Sequence, residues 1–280
     1  WIASVATPVI DEPAHLASGL LHWETGTFTA YKVNPPLVRL LAGLGAGGLR
    51  LQQEWPVQMP GGRPEFAAGR RLIQLNRDRS FRAFVLARLA VAPLSIIGCI
   101  VVFCWSRDLY GNRAAIVAAT LYCFSPNIVC WSATIIPDAA AASAGLLATY
   151  SFWRWLKSPT WIHSCIAGIS IGIALSTKLT WLLLLPLSLV LSCIYHYAHW
   201  RRVPTHPRHS AAVRYIICQL GVILLLSVYI LNLCYGFEGT NSRLDSFRFF
   251  STSLGGNSRT LDDGNPVSYT HLRAHETAMY

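Results

Sequence analysis

Charged residues are scarce in this chain. Asp, Glu, Lys and Arg make up 13% of its 280 residues, whereas soluble domains contain roughly 25%. Hydrophobic residues make up 53%, and the mean hydropathy is +0.39. Acidic residues are the scarcest charges, 13 against 23 Lys and Arg. This composition excludes an ordinary soluble domain and is typical of an integral membrane protein.

The chain also lacks the cysteine patterns of disulfide scaffolds and zinc sites. Its eight cysteines lie in apolar runs, without a Cys-x-x-Cys pair and without alternation with His. We expect them to pack as small hydrophobic side chains. The phosphate-binding pattern Gly-x-x-x-x-Gly-Lys-Ser/Thr is absent too, so no nucleotide-binding domain is indicated.

Long hydrophobic runs predict six membrane spans, each needing about 20 mostly apolar residues. The apolar stretch 162–198 is too long for one crossing, so we divide it at "STK", residues 176–178. The predicted fold class is therefore an all-α polytopic membrane protein. The spans fall in a bundle over residues 81–237, at about 84–105, 114–136, 139–155, 162–176, 179–198 and 215–237.

The distribution of positive charge predicts how these spans are oriented. Segments 106–113, 154–160 and 199–214 together hold eight Lys or Arg residues and one acid, Asp108. Cytoplasmic loops collect such residues, so we assign these segments to the cytoplasm, where the last one faces anionic lipid headgroups rather than nucleic acid. The outer face then receives four predicted site residues at or near span ends: Asp11, Glu12, Asp138 and Lys178.

Residues 10–80 are predicted to form a long outer loop with juxtamembrane helices. A candidate helix follows Asp11, with Pro13 in its first turn. A turn at Gly26 comes next, and residues 37–49 form a second apolar helix suited to the membrane interface.

Both ends of the chain are expected to be incomplete. Residues 1–9 resemble the end of a truncated first transmembrane helix, and residues 238–266 the start of an outer segment. Residues 267–277, "VSYTHLRAHET", resemble one reading frame of a transposon-derived adapter used to prepare sequencing libraries. We therefore interpret 267–280 as adapter read-through and exclude its two histidines from the candidate sites.

Several motifs in a fixed order carry a family resemblance. Asp-Glu-x-x-His (11–15), Trp-x-x-Gly-x-Phe (23–28) and Asn-Pro-Pro-Leu (34–37) are followed by "PDAAAASAGLLATYSFWRWLKSPT" (137–160) and "AGISIGIALSTKLTWLLLLP" (167–186). This order resembles the polyprenyl-phosphate-dependent glycosyltransferases of the GT-C superfamily, which include protein O-mannosyltransferases and lipid A aminoarabinose transferases. The resemblance covers about residues 5–255.

The resemblance implies a GT-C-type helical bundle and a mannosyl- or other hexosyl-type transferase. The sugar would come from a polyprenyl-phosphate carrier and go to an acceptor hydroxyl on a protein, lipid or glycan. The active site would lie on the outer face of a bacterial inner membrane.

The resemblance also implies catalytic roles for three acids. Asp11 is the expected general base, which takes the proton of the acceptor hydroxyl; the alternative is that it caps the helix that follows it. Asp138 either assists beside Asp11 or caps its own helix. Glu12 points elsewhere and is expected to hold a metal or an arginine.

The same resemblance implies a substrate-binding set. Arg88, Lys178 and Arg82 are the candidates for neutralising the lipid phosphate as it leaves. Arg88 should face the protein interior, because an arginine inside a span is costly in lipid, whereas Lys178 could also reach the interface as a long side chain at a helix end. Asn34, in the proline-rich loop, and His15 complete the set.

A divalent cation is left open, and no other cofactor is predicted. The set Asp11, Glu12 and His15 would favour Mg or Mn over Zn because it is rich in oxygen. For His15 the alternative is an ordinary polar contact.

A polytopic transporter or non-catalytic membrane scaffold is the alternative function. Transporters place ion-binding groups near the midplane and are often built from repeats. Here the ionisable residues gather at one face and no repeat is found, which favours the enzyme.

Overall fold

The computed structural model describes residues 1–55, 63–202 and 209–242, so the predicted read-through at 267–280 and most of the segment 238–266 lie outside the described residues. The chain divides into two compact units, Trp1–Gln58 with Arg63–Glu238, and Met59–Gly62 with Gly239–Tyr280. Every element below belongs to the first unit. Within the described ranges all regular structure is helical, which confirms the predicted fold class.

The helices follow one another along the chain as α1 Ile2–Val5, α2 Glu12–Thr25, α3 Leu37–Gly47, α4 Pro64–Asn76, α5 Asp78–Val91, α6 Pro93–Tyr110, α7 Asn112–Cys123, α8 Pro126–Trp131, α9 Pro137–Lys157, α10 Trp161–Thr177, a 3₁₀ turn Leu179–Leu183, α11 Leu184–Arg202 and α12 His209–Cys234. Three helical stretches in the described residues are long and apolar enough to cross a membrane, judged by length and composition: Asp78–Tyr110, Leu179–Ala198 and Ala211–Cys234. The six-span count stays a prediction.

Two sequence-based boundaries can be compared directly with the helices. The predicted break at 176–178 is present, because α10 ends at Thr177 and Lys178 has an extended backbone. In contrast, the stretch 114–136 is not one helix. It divides into α7 and α8, because Ser125 precedes Pro126 and takes an extended conformation.

Two hydrophobic cores hold the unit together. One joins α2, α3, α4 and α5 and includes Leu16, Val38, Leu72 and Phe84. The other joins α9, α10 and α12 around Trp155. The first core also contains Ile135 and Ala140, so the loop segment before α9 and the start of that helix are anchored to α2–α5.

Helices α2 and α3 cross at a glycine contact. A Cβ at Gly19 would overlap the backbone oxygen of Arg39, and a Cβ at Gly43 would lie 2.6 Å from the backbone of Gly19. Gly43, Gly45 and Gly48 also match the Gly-x-G-x-x-Gly spacing of dinucleotide-binding loops. Here they lie in α3 and at its C-terminal end rather than after a strand, and Gly43 serves helix packing.

The glycine contact predicts that Gly19→Ala destabilises the protein. The added methyl must push α2 and α3 apart, which costs about 1–3 kcal/mol. Gly47→Ala is the matched control, because nothing lies within 4 Å of a Cβ there. Thermal unfolding of the purified protein in detergent measures both. Equal transition temperatures for the two variants would contradict the close crossing.

Candidate functional site

Segments distant in sequence meet at one end of the helices. The backbone N–H of Ile135 donates to Glu12 Oε1 at 3.0 Å, and Lys178 Nζ lies 2.7 Å from Asp138 Oδ1. The N–H of Phe28 donates to the carboxylate of Glu238, beyond α12. One end of the bundle therefore holds α2 together with the start of α9 and the ends of α10 and α12. We name it the α2 end.

Glu12 and Arg88 form a buried, bidentate ion pair at the α2 end. Arg88 Nε donates to Glu12 Oε1 at 2.9 Å and Nη2 donates to Oε2 at 2.6 Å. Neither side chain has more than 1% of its surface exposed. The N–H groups of Val9 and Ile135 donate to the same carboxylate. Of the two partners expected for Glu12, a metal or an arginine, the structure contains the arginine.

The guanidinium of Arg88 has no N–H left over. Its remaining donors reach backbone carbonyls of the first residues of the chain, those of Ala3, Ala6 and Thr7, at 2.8–3.3 Å. Arg88 faces the interior, as the cost of an arginine in lipid predicted. In this arrangement it joins α5 to the N-terminal segment and to α2, and a phosphate would have to displace one of these partners to bind it.

Asp11 differs from its neighbour Glu12. It occupies the N-cap position of α2, yet its carboxylate makes no capping hydrogen bond, and its backbone is already helical. Its side chain is half-buried and has no hydrogen bond or ion pair within the described residues. The capping alternative is therefore absent from this structure, and the carboxylate is available to a ligand.

Asp138 and Lys178 pair with each other at the solvent-exposed surface of the α2 end. Their side chains are 49% and 38% exposed, with Nζ and Oδ1 2.7 Å apart. Asp138 makes no side-chain cap for α9. An exposed pair contributes only about 0–1 kcal/mol, so an incoming phosphate can compete for Lys178.

Arg82 and Asn34 are placed separately from that pair. Arg82 is exposed on α5. Asn34 is half-buried, and its backbone carbonyl accepts a hydrogen bond from Arg39 Nη1 at 2.9 Å. Within residues 1–55, 63–202 and 209–242, no three His, Cys, Asp or Glu side chains converge as metal ligands. The set Asp11, Glu12 and His15 is thus not assembled, because Glu12 is turned to Arg88.

A group that sequence reasoning missed lies beside His15. Arg39 is fully buried in α3, and its Cζ lies 4.2 Å from the centre of the Tyr31 ring. The His15 ring packs on the same tyrosine at 4.9 Å, and Arg63 lies over it at 5.8 Å. Together with His22, which accepts from Arg39 Nε at 3.4 Å, these residues form what we call the Tyr31 cluster. An arginine inside the apolar run 37–49 was the available signal.

Both histidines of the Tyr31 cluster are neutral at neutral pH. Burial, followed by the charges of Arg39 and Arg63, lowers the pKa of His15 from 6.5 to about 3. Burial and Arg39 lower the pKa of His22 to about 4, against a smaller opposing contribution from the Thr27 carbonyl. Burial also lowers the pKa of Arg39 to about 10, so this arginine keeps its charge at pH 7.

The Glu12–Arg88 pair predicts strong destabilisation by single variants. Glu12→Gln or Arg88→Met leaves one buried charge without its partner, which costs about 3–5 kcal/mol. The double variant leaves no uncompensated charge and should recover part of that loss. Thermal unfolding in detergent measures the stability of the two single variants and the double variant, with the exposed Glu24→Gln as control. Additive losses in the double variant would contradict a direct pair.

The lowered histidine pKa values predict loss of stability in acid. Between pH 6.5 and about 4 the unfolded chain binds protons that the folded chain does not, so stability falls as the pH drops through this window. His22→Gln keeps an acceptor for Arg39 and removes one titrating group. Unfolding temperatures measured from pH 7.5 to 4 should therefore fall less steeply in this variant. An unchanged slope of unfolding temperature against pH would show that His22 does not contribute to the loss of stability in acid.

One family model matches the chain. Residues 78–231 match the family described as dolichyl-phosphate-mannose-protein mannosyltransferase. The match begins at α5, ends within α12, and includes Arg88, Asp138 and Lys178. No curated protein and no solved structure matches the chain. Since the matched region is more than half of the sequence, the chain belongs to the dolichyl-phosphate-mannose-protein mannosyltransferase family and is a membrane glycosyltransferase of the GT-C type.

Proposed function

We propose that this protein transfers a sugar, of mannosyl or other hexosyl type, from a polyprenyl-phosphate carrier to an acceptor hydroxyl. The transfer takes place on the outer face of the membrane, which we take to be a bacterial inner membrane. The observation that supports this most directly is the carboxylate of Asp11, which is unpaired within the described residues although it adjoins a fully neutralised Glu12. A base that is already hydrogen-bonded to an arginine would be a poor proton acceptor.

Asp11 is the general base of the proposed reaction. It takes the proton of the acceptor hydroxyl as the hydroxyl oxygen attacks the anomeric carbon of the donor sugar. The bond between that carbon and the phosphate oxygen breaks in the same step, so the configuration at the anomeric carbon inverts. The products are the glycosylated acceptor, a polyprenyl phosphate and a protonated Asp11.

Lys178 stabilises the departing phosphate, and Asp138 holds Lys178 until a donor arrives. Negative charge grows on the phosphate as the glycosidic bond breaks, and a nearby cation lowers the energy of that transition state. The pair is exposed at the α2 end, so Lys178 can exchange one oxyanion for another at little cost. Arg82, which is exposed on α5, is the further cation available to the donor.

Glu12 and Arg88 act through position rather than by contact with substrate. Their ion pair fixes the first turn of α2 against α5 and Ile135. The carboxylate of the neighbouring Asp11 takes no part in that pair. We assign Asn34 and His15 to the substrate-binding region. Asn34 lies in the loop Tyr31–Pro36, and the ring of Tyr31 packs against that of His15 on α2.

Mannose on protein is the sugar and acceptor named in the family description. We propose a protein hydroxyl as the first acceptor to test, with lipid and glycan hydroxyls as the others. Neither a divalent cation nor another cofactor is needed for the steps above.

Asp11→Asn tests the base directly. The amide cannot accept the hydroxyl proton, so transfer should fall by about 10²-fold or more, while the fold stays intact because Asp11 makes no side-chain hydrogen bond. The assay is the release of polyprenyl phosphate from polyprenyl-phosphate-mannose in proteoliposomes, with a membrane extract as acceptor source.

Glu24→Gln is the matched control, since this acid lies on the last turn of α2 and is exposed. It should transfer at the wild-type rate. A wild-type rate in Asp11→Asn would remove the proposed mechanism.

A further inference from the structure

Two arginines are fully buried in the described part of the chain, and only one has a carboxylate partner there. Arg88 is paired with Glu12. Arg39, equally buried, has no ion pair with any described residue. An unpaired buried charge is costly, so the environment of Arg39 needs a source of compensating negative charge.

The described residues hydrogen-bond Arg39 only through neutral groups. Nη1 donates to the carbonyls of Asn34 and Pro35 at 2.9 and 3.4 Å, and Nη2 donates to that of Tyr31 at 3.2 Å. Nε reaches the neutral ring of His22. Three of these four contacts are 3.2 Å or longer, and the second Nη2 hydrogen has no acceptor among the described residues. The guanidinium is thus held in place but not neutralised.

Among the described residues, the acid with an electrostatic effect on Arg39 is Glu65, and it is already engaged in an ion pair. Glu65 is buried and accepts a hydrogen bond from Arg63 Nε at 2.6 Å. Its effect on Arg39 is smaller than that of burial and of Tyr31 and Tyr235. Segment 56–62, which precedes Arg63, contains no Asp or Glu. Among the described residues, the two arginines of the cluster therefore face one neighbouring glutamate, Glu65, which leaves a net positive charge.

A second nitrogen in the cluster also lacks a partner among the described residues. His15 Nδ1 is buried and has no hydrogen bond within the described residues, although the residue is only 3% exposed. His15 follows Asp11, the N-cap of α2, by four residues, a spacing that places two residues on one face of a helix. The Arg63 side chain, 47% exposed, gives the cluster an opening to solvent.

We propose that the Tyr31 cluster is an anion-binding site for a phosphate group, with Arg39 and Arg63 as its cations and His15 Nδ1 as a neutral donor. Arginine suits this ligand because its planar fork donates two parallel hydrogen bonds to phosphate oxygens. The bound anion neutralises Arg39 and satisfies both unused donors. The phosphate is either free in solution or the headgroup of a lipid.

The lipid source deepens the proposed function and rests on it. The cluster, packed against α2, would hold the phosphate of a polyprenyl-phosphate molecule on the helix that follows the general base. Arg63 would then exchange Glu65 for the phosphate as the ligand enters. The cluster itself requires only a phosphate group, and its binding can be measured without any sugar transfer.

The experiment measures phosphate binding by the full chain purified in detergent. Inorganic phosphate, geranylgeranyl phosphate and the alcohol geranylgeraniol are titrated into wild type, Arg63→Gln and Arg39→Gln, with equilibrium affinity and unfolding temperature as readouts. Arg70→Gln is the matched control, because it removes one exposed arginine from the same helix as Glu65. Sodium chloride at equal ionic strength controls for screening.

Wild type and Arg70→Gln should bind geranylgeranyl phosphate at least about tenfold more tightly than the alcohol, as expected for hydrogen bonds to a charged group. Arg63→Gln should lose about tenfold in affinity. Phosphate should raise the unfolding temperature of wild type and not that of Arg39→Gln. If Arg39→Gln does not fold, the affinity of Arg63→Gln still tests the site, because the Arg63 side chain is half-exposed.

The outcomes separate the two sources of phosphate and the two proposals. Arg63-dependent binding of both phosphates shows a site for the phosphate group itself, and binding of the lipid phosphate alone shows a headgroup site. Equal affinities in wild type and Arg63→Gln would overturn the inference, even if sugar transfer is observed. Arg63-dependent binding without any transfer would leave this site standing and remove the proposed function.

Discussion

The buried ion pair between Glu12 and Arg88 is the interaction on which the α2 end depends. It joins the N-terminal segment, α2, α5 and the loop before α9, and the bond from Ile135 to Glu12 spans 123 positions of the chain. All the donors of Arg88 and both oxygens of Glu12 are in use. A pair satisfied this completely specifies one arrangement of these four segments, because removing any partner would leave a charge or a polar group buried without compensation.

That constraint separates the roles of two adjacent acids. Glu12 is fully buried and holds the fold together, while Asp11 keeps a free, half-buried carboxylate at the start of the same helix. The two arginines that are buried in the described ranges differ in a similar way, since Arg88 has a carboxylate partner there and Arg39 has none. At the α2 end, the groups that fix the structure are thus distinct from those that are left for a ligand.

The sequence predicted the local features well, because they depend on nearby residues. The start and end of α2, the break before Lys178 and the inward orientation of Arg88 follow from Pro13, Gly26, the polar "STK" segment and the cost of an arginine in lipid. The pairing of Glu12 with Arg88 could be expected only as one of two alternatives, since its partner is 76 residues away. Helix α4 was missed because its arginines obscure a short apolar face formed by Ala68, Leu72 and Ile73. Arg39 was missed because it was treated as part of an interfacial helix.

The central claim is that Asp11 performs chemistry while Glu12 maintains structure. The most direct measurement records unfolding temperature and sugar transfer side by side for wild type, Asp11→Asn and Glu12→Gln in one proteoliposome preparation. The account predicts that Asp11→Asn unfolds like wild type and transfers almost no sugar, whereas Glu12→Gln unfolds at a clearly lower temperature. Wild-type transfer by Asp11→Asn, or an equal loss of stability in both variants, would contradict it.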